Sequence, residues 1–579
     1  MNSKFLRTIG AGLSVAVILS GCDGLGKMVK KQKDIQYKVT PNPIEMHGDS
    51  VQFSVSGKFN PKLFAKKVTL TLTPVVKGTN GSERALKPVT LVGEKATGSG
   101  QKIGFSSGGS FSYTSEKFAY EPGMRNAKVE LRGVGTVKKK EKKFDPVELA
   151  DATIVTPLLV RNDEKPIMGK DAFVKSTPAD QTTHIYYQIN QSNVRPTELK
   201  SDEAKAFHNF IEANLSSPWY EFKGITVSAY ASPDGETDKN ENLAKDRATS
   251  GSKAIMSEFT SNKDKAVTFG KTKEQYTVGT TKEDWEGFKS LMEASTMADK
   301  DLILRVLTMY SDADQRRKEI KNLSKTYTEL ADKVLPKLRR AEIVVNVNKK
   351  SRTDEQITAL MTSKPDSLSI EELLYGATLT NDINTKVQVY TSAEKQFGSD
   401  WRAANNLGCA LLLQNKVSEA AEAFKRAEKV ANGQQAVYNN LGIIEAKNGN
   451  RPAARELYKK AGGAAETKYN TGILDIRDGK YADALSNFGE NKDFNKALAT
   501  LLTGGASGVN AILDAGTDKD KAFSDYLRAV AAAKSGNNSE VISNLKKAIE
   551  KDAALKAWAK DDAEFVKLRA DSGFTGLVN

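Results

Sequence analysis

The sequence predicts a multidomain chain: an all-β, sandwich-like module first, an α/β module with a helical insertion second, and an all-α helical-repeat solenoid last. Three observations predict it. Apolar and polar residues alternate from about residue 37 to 160. Two-residue and helical periods interleave from about 166 to 350. Beyond 351 the same small and aromatic residues return every 34 positions. A length of 579 residues fits roughly three to four domains, and a composition 39% hydrophobic and 27% charged is that of folded modules.

Residues 1–21 read as a signal segment. Lys4 and Arg7 precede an apolar run from Ile9 to Leu19, too short to span a bilayer as a stable helix, and the run exits through Leu19-Ser20-Gly21-Cys22. One reading is an ordinary secretory signal with a coincidental cysteine. The Leu-Ser-Gly-Cys ending resembles the cleavage site of bacterial lipoproteins. That resemblance implies that Cys22 takes the lipid, becomes the first mature residue and ties the chain to a membrane, with 22–36 as a linker. Residues 23–30 hold no acidic cluster. In Bacteroidota-type lipoproteins such a cluster accompanies surface display, so the resemblance implies a periplasm-facing protein anchored in the outer membrane. Asp23 directly after the cysteine is an inner-membrane retention feature in enteric bacteria, which leaves the choice of membrane open. No later apolar run is long enough for a second span. Cys409 is the other cysteine. With Cys22 acylated no internal disulfide can form, and Cys409, in an apolar helical stretch, reads as a small core residue.

In the first module Val51, Phe53 and Val55 alternate with polar residues, as do Val68, Leu70 and Leu72, then Phe111 and Tyr113, then Val129 and Leu131. Such alternation puts these side chains on one face of a sheet. Turn-rich stretches at 77–82, 97–100 and 121–123 separate the runs, the spacing of a β-sandwich. Net charge is +14, which favours anionic partners such as phospholipid headgroups, anionic glycans or acidic proteins; nucleic acid is not expected outside the cytoplasm. The densest cationic run, residues 138–143, reads as a solvated strand end or a docking site.

In the second module residues 185–189 and 225–230 read as strands. Phe207, Phe210, Ile211 and Leu215 lie at helical spacing, and 242–259 is a helix. Trp285, Phe288, Leu291 and Met292 share a helical face within an insertion of about 281–338, and 341–347 is a closing strand. In the last module Leu407, Gly408, Ala420, Phe424 and Ala427 return as Leu441, Gly442, Ala454, Tyr458 and Ala461. Leu373, Tyr390 and Ala393 precede them by the same step, and Gly472, Ala484 and Phe488 follow after a shorter one. These residues and their period resemble the tetratricopeptide repeat, whose small residues let paired helices approach while the aromatic fills the gap. From 503 to 518 the pattern lapses, and it resumes from 521 to 568 as a divergent repeat and cap.

The most suggestive chemistry lies at 230–248. A strand ends in Ser232-Pro233-Asp234-Gly235; Asn240 follows, then Leu243, Arg247 and Ala248 on a helix. This resembles the peptidoglycan-binding motif of OmpA-like domains, and Arg339-Arg340-Ala341-Glu342-Ile343 resembles that family's late strand. The resemblance implies that Arg247 holds a peptide-stem carboxylate and that Asn240 is the loop asparagine. A guanidinium fork suits a carboxylate. The family's aspartate falls on Ser232, with Asp234 as its substitute. The structural alternative keeps the fold, with Asn240 capping the loop and Arg247 in an internal salt bridge. In the repeats Asn405, Asn406, Asn439 and Asn440 occupy corresponding positions on first helices. Their amides can donate and accept, so they either bind an extended peptide or are solvated helix residues.

Enzyme signals are poor. His47, His184 and His208 are scattered and lack metal-ligand spacing. Residues 104–108 fit Gly-x-Ser-x-Gly, but an apparent strand follows where that motif needs a strand-to-helix elbow. No catalytic residue, metal or cofactor is expected. The expected domains are therefore 37–165 (β-sandwich-like), 166–350 (OmpA-like) and 351–579 (tetratricopeptide repeats). The expected role is a non-catalytic scaffold of an envelope complex of secretion or outer-membrane assembly type. Its partners would be a membrane through the lipid, outer-membrane or periplasmic proteins through the repeat groove, and peptidoglycan. A plain peptidoglycan anchor and a cell-wall or glycan-active enzyme are the alternatives.

Overall fold

Alternation in the first module becomes a set of short strands around one core. The structure, a computed structural model, describes residues 24–261 and 268–579; Cys22 and the signal segment lie outside the described residues. Strand Ser54–Phe59 sits between Gln36–Thr40 and Gly109–Thr114, antiparallel to both. A larger sheet is built on Thr69–Lys77 and Lys128–Val137, antiparallel from Thr69 opposite Thr136 to Lys77 opposite Lys128. Val51, Phe53, Val55, Val68, Leu70, Leu72, Val129 and Leu131 are each no more than 2% exposed. Burial of that many apolar side chains is the main driving force for this module. The expected linker is ordered from residue 25. Helix Leu25–Lys30 buries Leu25 and Met28 in the same core, because those two residues fall on one helical face. Gly104 and Gly108 bridge to close a turn into strand Gly109–Thr114, so Ser106 sits exposed on a turn between strands.

Contacts divide the chain into two units. One holds the described residues through Gly169 together with Gly398–Asn579; the other is Lys170–Phe397. The divisions fall at 169/170 and 397/398.

The C-terminal part of the first unit is all helical. Antiparallel pairs are Trp401–Leu413 with Val417–Val430, Gln435–Lys447 with Arg451–Ala461, and Ala465–Arg477 with Tyr481–Phe488. Phe494–Leu502, Ala522–Lys534 and Asn538–Lys551 continue the array. The lapse at 503–518 holds a left-handed Gly504 and a short helix, Val509–Asp514, with Val509 and Leu513 buried. The repeated glycines are sites of close approach. A Cβ on Gly408 would lie 2.5 Å from the Phe424 ring, and one on Gly442 2.5 Å from the Tyr458 ring. Gly442→Ala is therefore expected to destabilise the protein by about 1–3 kcal/mol, even though alanine favours the helix itself. Chemical denaturation checks this; a stabilised variant would contradict the packing.

The second unit is an α/β layer. Ser176–Pro178 and Gln181–Tyr186 pair with one edge of Arg340–Lys350. Tyr220–Tyr230 pairs with its other edge, and Tyr276–Thr281 lies outermost, parallel to Tyr220–Tyr230. Helices Asp202–Asn214 and Thr237–Ser261 bring Phe207, Ile211 and Ile255 onto Ile225, Val227, Ile343 and Val345. The strand expected at 185–189 ends at Tyr186, and Ile189 is exposed. The insertion is a run of helices between Trp285 and Leu338 with its own core, including Phe288, Met292, Ile303 and Leu330. Helices Asp354–Ser363, Ile370–Gly376 and Ile383–Gln396 complete the unit, the first two opened by capping boxes at Thr353/Gln356 and Ser369/Glu372. Among the described residues no helix is long and apolar enough to cross a membrane.

Candidate functional site: an asparagine ladder and a buried arginine

Successive first helices of the repeats put Asn406, Asn440, Asn470 and Asn495 in line, and residues 161–169 run along them. Each amide makes the same two bonds to one backbone residue: Oδ1 accepts its N–H and Nδ2 donates to its C=O. The distances are 2.7 and 2.9 Å for Asn406 on Gly169, and 2.8 and 2.8 Å for Asn440 on Ile167. They are 2.7 and 3.0 Å for Asn470 on Lys165, and 2.9 and 3.1 Å for Asn495 on Arg161. An extended chain turns alternate residues to the same side, which is why 165, 167 and 169 are the residues gripped. Asn405 and Asn439 brace the ladder. Their Nδ2 atoms donate to Ile167 O and Lys165 O, each at 3.0 Å, and their Oδ1 atoms accept from Asn440 and Asn470 at 2.8 and 3.0 Å. All six asparagines are buried. Cys409 lies beneath them, its Sγ 3.6 Å from Ile167 O, and burial pushes its thiol pKa well up.

Side chains of the threaded segment are also held. Lys165 Nζ stands 3.7 Å from the Tyr469 ring centre, and the Arg161 guanidinium lies 4.1 Å from that of Phe494 while pairing with Asp518 at 2.7 Å. Tyr469 Oη donates to Asp163 at 2.9 Å, and burial raises the Asp163 carboxyl pKa. A Cβ on Gly169 would lie 2.6 Å from Arg402, so glycine alone lets the backbone reach Asn406. Asn405, Asn406, Asn439 and Asn440 are thus neither solvated nor turned to an outside peptide: they grip the chain's own backbone. Asn470 and Asn495 were missed by sequence reasoning because the step shortens to 30 and then 25 residues. Asn470 was findable, since it precedes Gly472 by two, as Asn406 does Gly408 and Asn440 does Gly442.

The loop at 231–236 is fixed from two sides. Asn240 Nδ2 donates to Ser232 O at 2.9 Å, capping the loop. Arg339 Nε donates to Ser232 Oγ at 3.2 Å, and its Nη2 lies 3.4 Å from Asp234 Oδ2. Asp234 Oδ1 is buried and has no hydrogen-bond partner among the described residues. Arg340 instead pairs with Asp284 at 2.6 Å and covers the Tyr230 ring. Arg247 is 1% exposed. Its Nε donates to Gln191 O at 3.1 Å, Nη1 to Tyr230 O at 3.0 Å and Nη2 to Gln188 O at 3.4 Å. Burial brings its pKa down to about 10. The structure corrects one expectation here. Among the described residues Arg247 makes no internal salt bridge, because backbone carbonyls fill its fork. The Pro233-Asp234-Gly235 turn brings the Asp234 carboxylate to Arg339.

The histidines are dispersed. His47 stacks edge-on against Tyr481, His184 lies between Glu203 and Glu342, and His208 pairs with Glu258, which raises its pKa. Among the described residues no group of three or more His, Cys, Asp or Glu could hold a metal ion.

No family model matches the chain, and no curated protein does. Among solved structures it is similar to PilW, a widely conserved type IV pilus biogenesis factor: 15% identity, 39% of this chain and 99% of that one, TM-score 0.27. It is similar to a tetratricopeptide-repeat protein from Parabacteroides merdae: 13% identity, 45% and 100%, TM-score 0.28. It is also similar to YrrB, a tetratricopeptide-repeat protein with an unusual peptide-binding site: 20% identity, 35% and 94%, TM-score 0.20. At these scores the repeat character of the C-terminal region stands on the chain's own helix pairs, glycine–aromatic contacts and 34-residue step.

Proposed function

We propose that this protein is a non-catalytic, lipid-anchored scaffold that faces the periplasm from the outer membrane and holds together an envelope complex of the secretion or outer-membrane assembly kind. The observation that carries this reading is the asparagine ladder. It clasps the arm leaving the β module, so β module and repeats form one contact unit. Gly48 N–H donates to Tyr481 Oη at 2.9 Å, and the Arg125 guanidinium covers the Trp558 ring at 4.3 Å, adding two further ties. A unit fixed in this way can hold neighbours at set positions, and its outward helix faces are left for protein partners. The Leu19–Cys22 motif supports the anchor.

Peptidoglycan contact is a second reading, favoured by the buried, unpartnered Asp234 Oδ1 beside Arg339. In that reading Asp234 and Arg339 face the ligand and Arg247 only shapes the loop.

Cys22→Ser tests the anchor. The wild-type chain is expected to carry fatty acid by mass spectrometry and to stay with membranes washed at about 0.5 M salt, where exposed charge attraction is screened. The variant is expected in the soluble fraction. An unmodified wild type, or a variant that resists the wash, would overturn the reading. Crosslinking in intact cells identifies the complex.

A further inference from the structure

The fold gives the lysine run at 138–143 a neighbour. It forms the turn and return strand of a hairpin, Lys128–Val137 with Lys140–Lys143, and all six of its residues are exposed. Helix Leu25–Lys30 lies on that hairpin. Leu25 is buried over Gly135 and Phe144, and Gly26 faces Lys142 Nζ. Gln32 and Asp145 then exchange two hydrogen bonds, each 3.0 Å. Lys27, Lys30, Lys31 and Lys33 are exposed on this second segment. Residues 24–35 and 138–145 together carry nine lysines against three acids, Asp34, Glu141 and Asp145.

This cluster sits where the chain enters the fold. Gly24, the first described residue, is two positions beyond Cys22 and opens the helix. A residue spans at most about 3.6 Å, so the attachment residue is within roughly 7 Å of Gly24 along the backbone. We propose that this face of the β module is a membrane-contact surface for anionic phospholipid. Clusters of four to eight basic residues next to a membrane attachment point are drawn to anionic headgroups, and one acyl chain with a basic patch binds far more durably than either alone. The surface lays the hairpin against the leaflet and sets the orientation of the β module. Its orienting role rests on the lipid-anchor reading; its affinity does not.

The test uses the unacylated chain from Asp23 onward, which keeps every described residue, so its outcome is independent of Cys22. Sedimentation is measured with vesicles of pure phosphatidylcholine and of phosphatidylcholine with about one-third phosphatidylglycerol, an anionic surface of the kind that recruits basic segments. Binding is expected on the anionic vesicles only, and it is expected to vanish at high salt. Lys30→Gln, Lys139→Gln, Lys142→Gln and Lys143→Gln combined are expected to weaken it about tenfold or more while leaving thermal unfolding unchanged. A control removes the same charge elsewhere, at the exposed residues Lys429, Lys459, Lys468 and Lys480 of the repeat region, and is expected to bind as wild type. Equal sedimentation with both vesicles, wild-type binding by the patch variant, or equal weakening by the control would each overturn the proposal.

Discussion

Asn406→Ala combined with Asn440→Ala is expected to loosen residues 161–169 from the repeats and to destabilise the first unit by about 3–6 kcal/mol. The double variant leaves the buried Gly169 N–H and C=O and the half-buried Ile167 N–H without partners, and each unsatisfied buried group costs about 1–3 kcal/mol, the half-buried one less. Ile167 C=O keeps Asn405, which lowers the sum. Asn405 in turn loses the Asn440 bond that orients it. Water entering the space left by the amides offsets part of the loss. Amide hydrogen exchange at Ile167 and Gly169 is the sharpest readout, because both N–H groups are bonded to the ladder directly. Their protection should fall by orders of magnitude, with new proteolysis at 161–169. Asn440→Asp should be no milder: it keeps an acceptor for Ile167 N–H but turns a carboxylate toward Ile167 C=O. Unchanged exchange and melting in the double variant would mean that the segment is held by its side chains and not by its backbone.

The ladder also marks where the sequence stops being legible. Alternation was enough for the buried faces of the first module, because Val51, Phe53, Val55, Leu70 and Leu72 are local signals of a sheet with one face buried. The glycine–aromatic pairs announced the helix pairs, since Gly408 with Phe424 and Gly442 with Tyr458 are contacts within one repeat. Strand Tyr276–Thr281 was silent. It is an edge strand with five of its six residues exposed, so it needs no apolar alternation. The segment 161–169 was silent for a different reason. A ladder that reads backbone N–H and C=O imposes almost no side-chain pattern on what it holds, apart from the glycine at 169. Asparagines in register were visible, but the identity of their occupant is a fact of tertiary structure. At the 231–236 loop the motif placed Arg247 on the right helix, whereas Asn240, expected in the loop, lies in the first turns of that helix, which begins at Thr237. Which arginine meets Asp234 depended on the turn geometry at Pro233-Asp234-Gly235, and no spacing encodes that.

Arg247→Ala is expected to destabilise the second unit by about 3–5 kcal/mol. Three part-buried hydrogen bonds, to the carbonyls of Gln188, Gln191 and Tyr230, are lost, and truncating the buried Arg247 leaves a space beneath the Tyr187 ring. Arg247→Lys should recover little, because a single ammonium cannot meet three carbonyls that the planar fork reaches in different directions. Denaturation monitored at Trp219 and Trp285, both in this unit, checks the magnitude. Sedimentation with isolated sacculi, below the melting transition of each variant, then separates the two roles open to this loop. If the wild-type protein binds sacculi, Asp234→Asn and Arg339→Gln are expected to reduce retention without the full stability loss, whereas Arg247→Ala should lose retention only as it unfolds. An Arg247→Ala variant that melts like wild type and yet fails to bind would put the guanidinium on the ligand, and the three carbonyl bonds would then have to open to admit a carboxylate. The geometry opposes that order of events: a fork already held at 3.0–3.4 Å by carbonyls on three sides gains little from exchanging them for one carboxylate, and exposing those carbonyls costs as much as the new pair returns.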